Sequence, residues 1–296
     1  MTDVSCSLVI VLAAGEGTRM KSSLAKVLHP ILGTPLLGHV LREVGGLCPL
    51  ETVVVIGHQR ERVAEYLESD FAGVRSAIQD AQLGTGHAVR CALAALADQG
   101  VELSAGPVVV TAGDTPLLTT DTLAALLDEH VRTGAKATVL SAELADPTGY
   151  GRIVRDSDGS VIGIVEHKDA NATQLAVREI NSGVYAFEAE TLTDALGRLN
   201  TNNSQGEEYL TDVLGIVHND GGRVSASIAA AAEDVHGIND RVQLAAAAVI
   251  LRDRTNETLM RSGVTIVDPL TTWIAPGVAI GRDTVVERNT LIGPRS

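Results

Sequence analysis

The stretch Leu8-Val9-Ile10-Val11-Leu12-Ala13-Ala14-Gly15-Glu16-Gly17-Thr18-Arg19-Met20 decides how the rest of the chain is read. Leu8 to Leu12 is a short unbroken apolar run, the pattern of a strand buried on both faces. Two small alanines, the Gly15-Glu16-Gly17-Thr18 turn and the cationic Arg19 follow. Glycines directly after a strand let the backbone approach a ligand closely, and their N–H groups can cradle phosphate. Lys26 adds a second positive charge soon after. Thr34-Pro35 predicts an N-cap followed by proline at the first helical position, opening a helix at Leu36.

Two common glycine motifs do not fit this loop. Met20 stands where the third glycine of a dinucleotide fingerprint belongs, and the second strand ends Val55-Ile56-Gly57-His58 without an acid to bind a ribose. A P-loop is excluded because no G-K-[ST] follows. What remains is either an ordinary strand-to-helix turn or a phosphate-binding loop that carries its own Arg19 and Lys26.

Composition narrows the partners. Over 296 residues, 45% are hydrophobic, enough for one large domain plus an appendage. Aromatic residues make up 2% and the formal charge is −14, which together argue against nucleic-acid binding by base stacking or basic patches. An acidic chain that handles phosphates needs local cations or a metal. Cys6, Cys48 and Cys91 show no C-x-x-C spacing and read as buried free thiols of a reducing compartment. The first apolar run is too short to span a membrane and is preceded by Asp3 rather than by positive charge, so a cytoplasmic protein without membrane attachment is expected.

Beyond the first loop, strands at 53–56, 74–78, 108–110 and 137–141 alternate with helices over 60–67, 86–97 and 120–132. This rhythm predicts an α/β fold with a doubly wound, mostly parallel sheet, whose ligands sit at the carboxyl ends of the strands. Gln79 follows the third strand, and Leu83-Gly84-Thr85-Gly86-His87 opens the next helix. The amide offers a donor and an acceptor, as a base edge requires, but a loop glutamine before a helix start would look the same. His87 reads as structural. In Ala112-Gly113-Asp114-Thr115-Pro116 the carboxylate ends a strand, where it either caps the turn or holds a divalent cation. From Tyr150 the rhythm changes to strands 149–154, 161–166 and 184–187, with Asp156-Ser157-Asp158-Gly159 as a hairpin turn. Taken alone, Glu166 reads as a solvated charge at a strand end and Asn181 as a turn residue. A short helix begins at Tyr209. In Val235-His236-Gly237-Ile238-Asn239-Asp240-Arg241, Asn239 reads as an N-cap when taken alone. The Ala-rich stretch 242–262 is a helix, stopped by Gly263. Ile274, Ile280, Val286 and Ile292 then recur every sixth residue, with small or β-branched Val278, Thr284, Thr290 and Ser296 four after each: a hexapeptide pattern of a left-handed parallel β-helix, little more than one coil long.

Leu12-Ala13-Ala14-Gly15-x-Gly17-Thr18-Arg19-Met20 with Lys26-Val27-Leu28-His29 resembles the signature of sugar-1-phosphate nucleotidylyltransferases. The resemblance is nearest to the N-acetylglucosamine-1-phosphate uridylyltransferase part of the bifunctional bacterial enzymes that also acetylate glucosamine-1-phosphate, and it runs from Leu8 to Ser296. Ala25 departs from it, standing where the family has proline. The resemblance implies Mg²⁺-dependent uridylyl transfer from UTP to N-acetylglucosamine-1-phosphate, giving pyrophosphate and UDP-N-acetylglucosamine for cell-wall synthesis. It implies Arg19 and Lys26 as catalytic cations on the phosphates. Leu12, Ala13, Ala14, Gly15, Lys26, Gln79, Gly84, Thr85, Ala112, Gly113 and Asp114 would bind the nucleotide. Gly151, Glu166, Asn181 and Asn239 would bind the sugar, with Asp114 and Asn239 the ligands of Mg²⁺. Lys168 would add charge near the phosphates. Residues 1–241 would form the uridylyltransferase domain with a sugar-binding insertion, 242–262 a linker helix, and 263–296 the first hexapeptides of an acetyltransferase domain. Because that second activity is built from several coils and neighbouring subunits, this chain is expected to be a monomer without acetyl transfer, and the full-length form a homotrimer. Two other readings compete: a nucleotidylyltransferase for a different base or sugar, and a non-catalytic module that senses a sugar nucleotide.

Overall fold

The computed structural model describes residues 6–102 and 106–294. The first half alternates β1 (Leu8–Ala13), the two-residue strands β2 (Pro30–Ile31) and β3 (Thr34–Pro35), α1 (Leu36–Gly45), β4 (Glu51–Ile56), α2 (Arg60–Asp70), β5 (Arg75–Ile78), α3 (Thr85–Asp98), β6 (Pro107–Ala112), α4 (Thr120–Thr133) and β7 (Ala137–Glu143). Then come β8 (Arg152–Arg155), β9 (Val161–Val165), α5 (Ala172–Leu175), β10 (Glu179–Glu188), α6 (Ala189–Leu196), α7 (Asp212–Asn219), β11 (Val224–Ile228) and α8 (Arg241–Arg261). Four two-residue strands follow: β12 (Thr265–Ile266), β13 (Trp273–Ile274), β14 (Val285–Val286) and β15 (Leu291–Ile292).

The central sheet runs β11-β7-β10-β6-β1-β4-β5. β1 lies parallel to both β4 and β6, β4 to β5, and β7 to β11. Only β10 breaks the pattern along this path, running antiparallel between β6 and β7. The fold is thus α/β with a mostly parallel sheet, as the alternating apolar runs predict. β1 shows why those runs are continuous. Leu8 and Ile10 join a core with Val89 and Leu96 of α3, Leu192 of α6 and Val213 of α7. Val9 and Val11 face the opposite core, with Leu37 and Val40 of α1, Val63 of α2 and Leu123 of α4. Both faces of the strand are dry, so polar alternation would cost burial free energy at every second position.

Several local expectations change. Thr34 is no N-cap: it pairs with Ile31 across the β2–β3 hairpin, and its hydroxyl accepts from Arg42 at 3.2 Å. Gly149 and Tyr150 form a turn, so the strand begins only at Arg152. Asn181 lies within β10, where a register shift up to Tyr185 marks a bulge. The helix read from Tyr209 begins at Asp212. The cysteines are unpaired, but only Cys6 is buried; Cys48 is exposed in the turn after α1, and Cys91 is half-buried. No helix among the described residues is long and apolar enough to cross a membrane.

α8 is held in both halves. Asp240 is its N-cap, accepting from the Val242 and Gln243 backbone N–H groups. In its second half, Arg252 lies 4.8 Å over the Trp273 ring, and Asn256 donates to the Pro269 and Thr272 carbonyls. β12 pairs in parallel with β14, and β13 with β15, setting Ile274 beside Ile292. Ile274 and Val286 are buried in one small core, against which Val278, Ile280 and Ile292 pack. Ser296, the last small residue of the hexapeptide pattern, lies outside the described residues.

Candidate active site

The carboxyl ends of β1, β5 and β6 open onto a cleft of about 230 Å³. Leu12, Ala13, Ala14, Gly15, Lys26, Gln79, Gly84, Thr85, Ala112 and Asp114 all line it. Gly113 does not; its N–H donates to the Leu12 carbonyl at 2.9 Å and so ties the end of β6 to β1. Gly84 has φ +109°, and a Cβ there would lie 2.4 Å from the Glu208 carbonyl oxygen. Only glycine fits that approach. The adjoining bonds Gly86 N–H to Glu208 O (2.9 Å) and Leu210 N–H to Thr85 Oγ1 (3.0 Å) fasten the loop before α3 to the segment before α7.

At one edge of the cleft the cations and the two proposed metal ligands come together. The Lys26 ammonium pairs with Asp114 Oδ2 and lies 3.4 Å from Asn239 Oδ1, to which Arg19 donates at 2.8 Å. A backbone bond from Ile238 N–H to the Asp114 carbonyl, 2.8 Å, holds the Asn239 loop against the end of β6. Asn239 sits one residue before the N-cap of α8, so it is not itself the cap. One carboxylate and one neutral amide oxygen are few ligands, and among the described residues no three or more Asp, Glu, His or Cys side chains are placed to hold a metal ion. That donor set suits a hard cation such as Mg²⁺, which keeps waters and takes phosphate oxygens. Both oxygens already face one cationic group, the Lys26 ammonium, so the pair can hold a positive charge between them.

The residues expected on the sugar gather in a second cluster, where the β8–β9 hairpin meets β10. A Cβ on Gly151 would lie 3.4 Å from Glu166 Oε2 and 3.5 Å from Asn181 Cβ. Asn181 N–H donates to the Gly151 carbonyl at 2.9 Å. The Thr211 hydroxyl donates to Glu166 at 3.3 Å. Burial pushes the Glu166 carboxyl above its usual range; the Thr211 hydroxyl opposes this, while the Asp212 and Asp169 charges add to it. Buried Arg152 fixes the hairpin by donating to the Tyr150 and Val177 carbonyls. Tyr150 links the two clusters: burial, and then the Asp114 carboxylate, raise its phenol. Asn239 belongs with Arg19, Lys26 and Asp114 rather than with Gly151, Glu166 and Asn181. Lys168 turns to Gln205, at 2.7 Å.

Four cleft residues were not singled out by sequence: Val27, Gln82, Ala88 and Glu207. Gln82 donates to the Ala14 carbonyl at 3.1 Å, and its position in the same loop as Gln79 was the available signal. Glu207 lies in the polar run 200–208 and carries no local mark of its place.

Similarity to known proteins follows the same geography. Curated relatives called bifunctional protein GlmU include those of Thermobifida fusca (54% identical over 288 residues, 97% of this chain and 59% of that protein) and Streptomyces coelicolor (54% over 291 residues, 98% and 60%). Another, from Corynebacterium glutamicum, is 52% identical over 288 residues, 96% of this chain and 58% of that protein. The chain thus spans about three fifths of the length of these relatives. The family described as MobA-like NTP transferase domain matches residues 9–161. That match covers more than half of the sequence and contains the ends of β1, β5 and β6 around which the cleft is built, so the chain belongs to the family of MobA-like NTP transferase domains.

Proposed function

We propose that the protein transfers the uridylyl group of UTP to N-acetylglucosamine-1-phosphate, releasing pyrophosphate and giving UDP-N-acetylglucosamine, a cell-wall precursor. One observation carries this reading: Arg19, Lys26, Asp114 and Asn239, from three separate segments, converge at the edge of a cleft lined by the phosphate-binding loop. The relatives' name and the family match support it.

In this reading the triphosphate lies along Leu12 to Gly15, and the base lies against Gln79, Gly84 and Thr85. The sugar phosphate oxygen attacks the α-phosphorus in line, the new P–O bond forming as the bond to pyrophosphate breaks. Such a reaction needs positioning and charge neutralisation more than covalent help. Arg19 and Lys26 supply fixed positive charge to the phosphates and the leaving pyrophosphate. Asp114 and Asn239 would hold Mg²⁺, which when bound neutralises phosphate charge. Lys26 then moves from the carboxylate to the phosphates. Glu166 and Asn181 offer an acceptor and an amide to the hydroxyl and acetamido groups of the sugar.

The test is pyrophosphate release from UTP with N-acetylglucosamine-1-phosphate, glucosamine-1-phosphate and glucose-1-phosphate as acceptors. A clear preference for the acetylated sugar is expected, because a site built to pair polar groups rejects analogues that leave them unpaired. Equal use of all three would sink the sugar assignment, and absence of release would favour a sensor module.

A further inference from the structure

The side-chain amide of Gln79 has one orientation open to it. Its Nε2 lies 3.0 Å from the Gly84 carbonyl oxygen, which can only accept, and 3.1 Å from His87 Nδ1. Both amide hydrogens are thereby used. His87 Nδ1 must then be the unprotonated ring nitrogen, which puts the ring proton on Nε2, facing Cys91 Sγ at 3.6 Å. Gln79 Oε1 is the free end of this chain. Among the described residues no group donates to it, yet it is not one of the sealed polar atoms without a partner. It therefore opens on the cleft that Gln79 lines.

We propose that His87 is a specificity-determining positioning residue: by accepting one hydrogen of the Gln79 amide it keeps Oε1 turned to the cleft, so the site takes a nucleobase whose ring N–H donates. The proposal rests on the nucleotide reading of the cleft. Uracil carries such a ring N–H, whereas cytosine has an acceptor nitrogen in the same place. Taking cytosine would require the amide to turn over. Oε1 would then meet the Gly84 carbonyl, acceptor against acceptor. His87 would have to adopt its other tautomer and reverse the direction of its contact to Cys91, the thiol then donating to Nε2. A loop glutamine without these two locks would turn over freely and read both bases.

The experiment measures pyrophosphate release from UTP and from CTP for the intact chain and for His87→Phe and His87→Asn. Asparagine places an acceptor oxygen near the position of Nδ1; phenylalanine fills the space and accepts nothing. His87→Phe is expected to raise KM for UTP with little change in kcat, and to leave CTP unaffected because the Gly84 carbonyl still opposes the turned-over amide. The preference should fall about five-fold, the worth of one hydrogen bond. His87→Asn should keep it. Equal loss on both nucleotides, or an unchanged preference in His87→Phe, overturns the proposal. Nitrogen chemical shifts of the His87 ring in the unaltered protein give a second reading if His87→Phe does not fold: a protonated Nδ1 would also overturn it. A chain that releases no pyrophosphate from either nucleotide would overturn the reading of the cleft, and this proposal with it.

Discussion

Gly17 holds a left-handed backbone, φ +62°, and a Cβ there would come 2.5 Å from the Lys26 Cβ. Gly17→Ala is expected to cost about 1–2 kcal/mol from the backbone alone and to push Lys26 away from Asp114. Thermal unfolding should record the loss, with Gly15→Ala as a control of stability, since nothing lies within 4 Å of a Cβ there. Asp114→Asn keeps the shape of the side chain and removes its charge. Turnover should drop roughly 10²–10³-fold, the scale of one lost preorganised electrostatic contact. Near-normal turnover of the folded variant would place the metal elsewhere. Asn239→Ala should do less, because water can replace a neutral ligand. Glu166 gives a pH signature. Its raised carboxyl pKa means the folded chain keeps a proton that the unfolded chain has lost, so stability is greatest below the ordinary value of 4.5 and falls as pH rises through the shifted one. Glu166→Gln is therefore expected to unfold near the wild-type temperature below that window and at a higher temperature at neutral pH. A Tm difference independent of pH would show that the charge is not what burial opposes.

Among the elements, α8 braces the site. Arg254 donates to the Leu117 carbonyl at 2.8 Å and to Asp234 at 2.7 Å, and Asp234 also accepts from Thr122. Leu117 follows Asp114 and Asp234 precedes Asn239, so one guanidinium holds both loops of the clamp. Arg254→Ala leaves a buried carboxylate short of its cation, at a cost of about 1–3 kcal/mol. It should also raise the Mg²⁺ concentration needed for half-maximal turnover. Arg254→Lys keeps the charge without the fork and should fall between. β1, β4 and β6 were readable because burial on both faces writes them as unbroken apolar runs. β11, Val-Ser-Ala-Ser-Ile, lies at the sheet edge with half-buried polar positions and gave no such run. Only the apolar end of β10 was legible, because Asn181 and Ser182 lie at the start of its bulge and break the alternation. The first loop and Asp114 stand out as motifs; that Asn239 reaches them follows from long-range packing, which no local pattern encodes.

Over the whole molecule, the hexapeptide segment contributes the stacked pairs β12 with β14 and β13 with β15. Stacked repeats bury their core between neighbours, and Leu291 is 79% exposed here. A polypeptide of residues 1–296 is expected to scatter light as a monomer and to transfer no acetyl group from acetyl-coenzyme A; a stable trimer would refute this. The order of elements along the chain also fixes a sequence in time. β1, β4, β5, β6 and Asp114 leave the ribosome before β10, the strand that joins them to β7 and β11. Asn239 emerges later still, and at about 5–20 residues per second the interval from Asp114 lasts seconds. Throughout that interval Lys26, made before either, is at hand to pair with the lone carboxylate. The nascent loop thus carries its own counterion from the start, and the proposed metal clamp is complete only when the segment that opens α8 has been made.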